Sequence, residues 1–330
     1  MKQLNFINFN NLGSKSIEWF IVILKVYFKK YKILIKKDFK LGNMNLFIEG
    51  FNDHQTKYLS KLLHSKNINI LLLTEFIESN SLVTHKDKNI IIYFLIQIYK
   101  ILRLDRLGIK KLIYSCINLF KIEGSINETD NVINHKKRFK NLKKIIYNFD
   151  FILTTHPVIC TQVYKKFGIK SFFITPELNL IKKNKKKNLV KFSGLKTNYR
   201  KKIIYKIKYN EMKQLMENQS NSNIFLDVKN ENYQYSFHPK KYKNWKFSSP
   251  IRYYYSIMKN QIPLTIDSFK DNLSNQLTIK IDLKDFSKIY LKLNYKKFFD
   301  KLNNKIVKYN LLAKKNNNIF FSELRRLDVK

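Results

Sequence analysis

Short, uninterrupted apolar runs separated by amphipathic stretches constrain this chain more than any other feature, because a strand that is apolar at every position must be covered on both faces. Leu46-Phe47-Ile48, Ile68 to Leu73 and Phe149 to Thr155 have this form. The first two flank a helical stretch with Tyr58, Leu59, Leu62 and Leu63 on one side, a βαβ unit of about 30 residues. The third follows a basic helix, Lys136 through Ile146, and leads into a helix from Val158 to Phe167. Gly168 then suits the left-handed position that ends a helix, and Ser171 to Thr175 is the next strand. The expectation is an α/β chain of doubly wound, Rossmann-like parallel sheets.

A length of 330 residues accommodates two such units, and 26 Phe with 20 Tyr cannot stay in water, so the chain is globular. We place an N-terminal α/β domain at 1–180, a basic linker at 181–200 and a C-terminal α/β domain with terminal helices at 201–330. The linker reading rests on Leu178 to Asn210, which carries eleven Lys and Arg200 without an acidic residue. Such a stretch is a solvated crossover or, on a sharper reading, a loop that contacts RNA. Beyond it, Ile203, Ile204, Ile207, Met212, Leu215 and Met216 share one helix face. Ile224 to Val228, Tyr233 to Phe237 and Ile262 to Ile266 read as strands, and the last 50 residues as helix. Ile90 to Leu104 reads as a buried helix and Lys111 to Phe120 as another strand.

The formal net charge of +40 points first to a nucleic acid. Only seven of the 64 cations are Arg, however, and the abundant Lys, Asn, Ile, Phe and Tyr all use A/T-rich codons. Nucleotide bias therefore raises the charge without selection for a ligand. Base reading and bidentate phosphate grip lean on Arg, so DNA is not expected as a partner and RNA is the alternative reading. The same bias makes each proline informative, because it should survive mainly where the backbone requires it. All five stand at strand ends, strand starts or helix starts.

The apolar stretch Ile17 to Ile35 is broken by Lys25, Lys29, Lys30 and Lys32, so it does not span a membrane. Acidic residues are absent between Glu18 and Asp38, so a basic helix peripheral to the inner face of an anionic membrane is one reading, and a helix packed on its own domain the other. Two cysteines, Cys116 and Cys160, build neither a disulfide framework nor a cysteine zinc site, and the N-terminus carries no cleavage pattern. The expected compartment is the cytoplasm.

Chemistry concentrates at Ser248-Ser249-Pro250-Ile251-Arg252. A capped helix start offers free backbone N–H groups and the positive dipole end to an anion, and Arg252 adds a fork of donors. Ser249 is the expected cap, Pro250 the first-turn residue, and Lys240, Lys241, Lys243 and Lys246 raise the local potential. His238 precedes Pro239 at a strand end facing the same helix start. No Asp-x-Asp, His-x-x-x-His, Walker, dinucleotide or Gly-x-Ser-x-Gly motif occurs, and we expect neither a metal nor a bound cofactor.

Arg252 through Leu264, with its Ile262-Pro263-Leu264 strand, resembles the donor-binding domain of GT-B glycosyltransferases. Phe149 to Leu178 is similar to the close of the acceptor domain in the same class. The resemblance covers about 60 residues and implies two doubly wound domains in a GT-B-like pair. It implies a metal-independent, hexosyltransferase-like enzyme of surface-polysaccharide biosynthesis, moving sugar from a nucleotide-sugar donor to a glycan, lipopolysaccharide or lipid-linked acceptor. Ser249, Arg252, His238 and Lys241 would hold the diphosphate. Tyr255 stands where many members place a ribose-binding Glu, leaving Asp267 as a substitute; Asn260 replaces a turn Gly, and Glu177-Leu178 a Gly-Val. For the acceptor base, or the lining of its cleft, the strand-end candidates are Glu49, Asp53, His54 and His156. A turn histidine beside Pro157 and an Asn-Asp-His helix cap account for the last three equally well.

Overall fold

The computed structural model describes residues 2–7, 15–37, 41–48, 50–63, 66–78, 81–83, 137–183, 187–192, 198–218, 226–227, 233–240, 248, 250–286 and 288–327. Two sheets, each parallel throughout, carry the fold. The first contains β1 (Lys2–Ile7), β2 (Ile33–Lys37), β3 (Met44–Ile48), β4 (Ile68–Leu73), β7 (Phe151–Thr154) and β8 (Phe172–Phe173), in the order β2-β1-β3-β4-β7-β8. A short antiparallel hairpin, β5 (Phe76–Glu78) and β6 (Ser81–Val83), follows β4. The second contains β9 (Lys187–Phe192), β10 (Leu226–Asp227), β11 (Tyr233–Phe237), β12 (Ile262–Thr265) and β13 (Ile279–Lys280), in the order β10-β9-β11-β12-β13.

Both faces of the first sheet are buried, which is why its strands are apolar without alternation. Leu46, Ile48, Ile70, Leu72, Phe151 and Leu153 join one core; Phe47, Leu71, Leu73 and Ile152 join the other. The second core is closed by α2 (Asp53–Leu62), a helix over 137–145 (α3) and α4 (Pro157–Phe167). Asn52 caps α2 in a capping box with Gln55. α4 starts at His156 and Pro157 and stops at Gly168, whose φ of 69° is the left-handed geometry expected from the sequence.

The apolar run Ile17 to Ile35 divides into α1 (Lys15–Lys29) and the edge strand β2, with Lys32 turning the chain at φ 59°. Ile23, Leu24, Tyr27 and Phe28 bury one side of α1. Among the described residues no helix is long and apolar enough to cross a membrane. The expected helix Ile90 to Leu104 and strand Lys111 to Phe120, and Cys116, lie outside the described residues.

The linker reading is corrected. Residues 187–192 form an interior strand of the second sheet, with Val190 and Phe192 in the core and Lys191 over the Tyr233 ring; α5 (Asn198–Asn218) begins directly after the segment. The crossover before it is pinned to the last helix at three points. Asn317, Asn310 and Asn303 of α9 (Tyr295–Leu327) each give an amide to a crossover carbonyl, at Thr175, Leu178 and Ile181. Their side-chain oxygens accept from the Thr175 hydroxyl and from the Leu178 and Ile181 N–H groups. The match is geometric: seven helical residues rise about 10.5 Å and three extended ones span about 10 Å. Asn260, at φ 59°, holds Lys182 in the same two-bond fashion.

The 33 residues of α9 reach about 50 Å, enough to serve both sheets. Near its start Lys305 Nζ donates to the carbonyls of Asn275 and Thr278 beside the second sheet. Near its end Phe320 and Phe321 pack edge-on and tilted against Tyr27, Phe28, Phe151 and Phe172 of the first. One apolar core therefore runs from β1 to β13.

Candidate functional site

In an open parallel sheet the carboxyl ends of the two strands where the order reverses leave a crevice, since the flanking crossovers leave on opposite faces. The second sheet reverses between β9 and β11. His238 follows β11 at that point and is 6% exposed. Its Nε2 lies 3.0 Å from the Ser236 hydroxyl and 3.1 Å from that of Ser256, and its ring stands edge-on to Tyr253. Nδ1 is buried without a hydrogen-bond partner among the described residues. Burial first, then the Arg252 and Arg200 guanidiniums, push the imidazole pKa down to about 3, so the ring is neutral at neutral pH.

Arg252 stands in the first turn of α6 (Ile251–Met258). Burial lowers its pKa, the response of a guanidinium taken from water, and no carboxylate pairs with it among the described residues. The cap differs from expectation: Pro250 occupies the N-cap position and provides no side-chain acceptor. Ser249 and Lys241 lie outside the described residues.

Arg200, fully buried on α5, fixes the turn after His238 by donating to the carbonyls of Pro239 and Lys240 and stacking over Phe192. Asp267, expected to hold a ribose, is committed elsewhere. One oxygen accepts from the Tyr199 hydroxyl and the other from the Lys240 N–H, both at 2.6 Å. Its role in this geometry is to close the 239–240 turn. Tyr255 lies half-buried on α6 with the Lys259 ammonium over its ring.

On the first sheet, His156 is fully buried at the end of β7. Nδ1 accepts the Val158 N–H that starts α4, and Nε2 lies 3.3 Å from Oδ1 of Asp271, which caps α7 (Asn272–Gln276) beside the second sheet. Both ring nitrogens are thus directed at protein groups, which corrects the view of His156 as a base open to an acceptor. Asp53 is held by Lys137 and by Asn141; the Lys137 hydrogen bond, then that of Asn141, lowers its pKa. His54 is exposed in the first turn of α2. Glu49, next after β3, lies outside the described residues. Arg138 and Glu75 form a half-buried ion pair just beyond β4.

The structure thus brings His238 and Arg252 together and sets His156 against Asp271, while Asp53 is tied to Lys137 and Asn141 and His54 is exposed on α2. Sequence reasoning missed Arg200, Asp271 and the Arg138–Glu75 pair. The scarcity of arginine was the available signal: with seven in the chain, each should sit where a guanidinium is needed, as Arg138, Arg200 and Arg252 do. Comparison with protein-family models and with curated proteins finds no match for this chain. Fold and site together define an α/β protein of two parallel sheets with a cationic cluster at the strand-order reversal of the second.

Proposed function

We propose that this chain is a GT-B-type glycosyltransferase that moves a sugar, without a metal, from a nucleotide-activated donor to a glycan or lipid-linked acceptor. The observation that supports it is the charge at His238: the Arg252 guanidinium stands near a neutral imidazole at the crevice of a parallel sheet, in the first turn of a helix. Arg252 supplies the charge for a donor phosphate, and the α6 N-terminus supplies N–H donors beside His238. As the phosphate departs and gains charge, these groups stabilise it without rearranging. Arg200 and Asp267 keep the turn after His238 in register. Glu49 follows β3, where the first sheet reverses its order, and we assign the acceptor base to it.

A second reading has its own observation. Tyr205 and Tyr209 stand one turn apart on α5 and are exposed, among Lys201, Lys202, Lys206 and Lys208, an arrangement that would suit stacking by single-stranded RNA.

Calorimetric titration with UDP, GDP, CDP and the matching monophosphates, beside Arg252→Ala and a short single-stranded RNA, decides between them. Saturable micromolar binding of one nucleotide, lost in the variant, supports the transferase. RNA binding alone, with steep salt dependence, overturns it in favour of the α5 platform.

A further inference from the structure

The zip between α9 and the crossover leaves an apolar strip on the outside. Leu180 lies between the two zipped positions Leu178 and Ile181, and Val307 lies between their partners Asn310 and Asn303, so the two flank the same seam. Leu311 follows Val307 one turn on. These side chains are 48%, 51% and 70% exposed, the last two on a helix whose other side is buried. The surrounding charge is mainly positive, and Glu177 beside Leu178 is paired with Lys30. Lys182, Lys308 and Lys314 are exposed around the strip, and neither 178–210 nor 301–322 contains an acidic residue.

We propose that this seam seats the protein on an anionic lipid surface, with the three aliphatic side chains entering the headgroup boundary and the lysines reaching the phosphates. The charge decides the occupant. A second copy packed across a two-fold axis would bring the lysines of both copies together with few acids to offset them. A lipid surface rich in phosphatidylglycerol offers the opposite sign and a soft apolar layer at once. The site is remote in kind from the His238 cluster, and the proposal does not depend on the donor reading.

Flotation of the full chain with vesicles tests it, comparing phosphatidylcholine alone with phosphatidylcholine mixed with phosphatidylglycerol. The expected result is flotation on the mixed vesicles only, falling with added salt. Val307→Asn with Leu311→Asn should lower the partition by about tenfold. Lys308→Gln with Lys314→Gln should lower it by a similar factor and flatten the salt dependence. All four positions are exposed, so folding should be kept, and circular dichroism checks that. Equal flotation on both vesicle types, or unchanged flotation of the aliphatic variant, overturns the proposal. So does sedimentation showing a dimer that Leu311→Asn dissolves, since the strip would then be a protein interface.

Discussion

His156 Nε2 and Asp271 Oδ1 meet 3.3 Å apart, the imidazole from the end of a first-sheet strand and the carboxylate from the helix cap beside the second. Because Nδ1 already accepts the Val158 N–H, the ring proton belongs on Nε2, which lies beside the Asp271 carboxylate. Asp271 Oδ1 also accepts the Ser274 N–H. The pair is a buried joint between the two halves, and each side also starts a helix.

Breaking a buried pair from one side leaves the other charged or polar group without compensation. Asp271→Ala and His156→Ala should each lower unfolding free energy by about 3 kcal/mol. The double variant should cost clearly less than the sum of the two. Urea denaturation of the four proteins measures the coupling; additive losses would show that the joint is not energetically shared.

The Asn zip makes a sharper statement about the crossover. Asn310→Ala removes one donor and one acceptor from Leu178, at a cost of about 1 to 3 kcal/mol. Hydrogen exchange should find the Leu178 and Ile181 amides protected in the wild type, with Leu178 released in the variant. Fast exchange at both in the wild type would return the segment to a solvated linker.

Acid should find out His238. Its folded pKa of about 3 lies below the ordinary value near 6.5, so the unfolded chain binds the proton first. Its contribution to stability is therefore complete above about pH 6.5 and lost as pH falls from there towards 3, on the order of a few kcal/mol in all. His238→Gln, measured by thermal unfolding across that range, should show a shallower acid slope than the wild type.

Anion binding can be read without a nucleotide. Inorganic phosphate should raise the wild-type melting temperature, because a ligand held by the folded state alone stabilises it. Arg252→Ala should lose the rise, and Arg252→Lys should keep part of it as a point charge without the fork. An equal rise in wild type and Arg252→Ala would place the phosphate elsewhere.

Local rules were legible in the sequence wherever neighbours in the chain settle the matter. The βαβ unit from β3 to β4, the stop of α4 at Gly168 and the left-handed Asn260 follow from apolar runs and from backbone geometry within a few residues. The run Ile17 to Ile35 was ambiguous for the same reason: composition alone does not show that Lys32 divides a helix from an edge strand.

What the amino-acid order by itself determined is the class: strands apolar on both faces demand parallel sheets covered by helices, and a helix start beside Arg252 invites an anion. Only tertiary structure decided which polar groups remain available. Asp267 has the chemistry of a ligand contact yet spends both oxygens on Tyr199 and Lys240, and His156 is buried with Nδ1 bonded to the Val158 N–H and Nε2 against Asp271. Apart from Val158, those partners lie between 27 and 115 residues away, and contacts across such separations form only once packing has brought the segments together. The lysine-rich crossover shows the same principle: it reads as solvated because its partners, three asparagines seven residues apart, belong to the last helix of the chain.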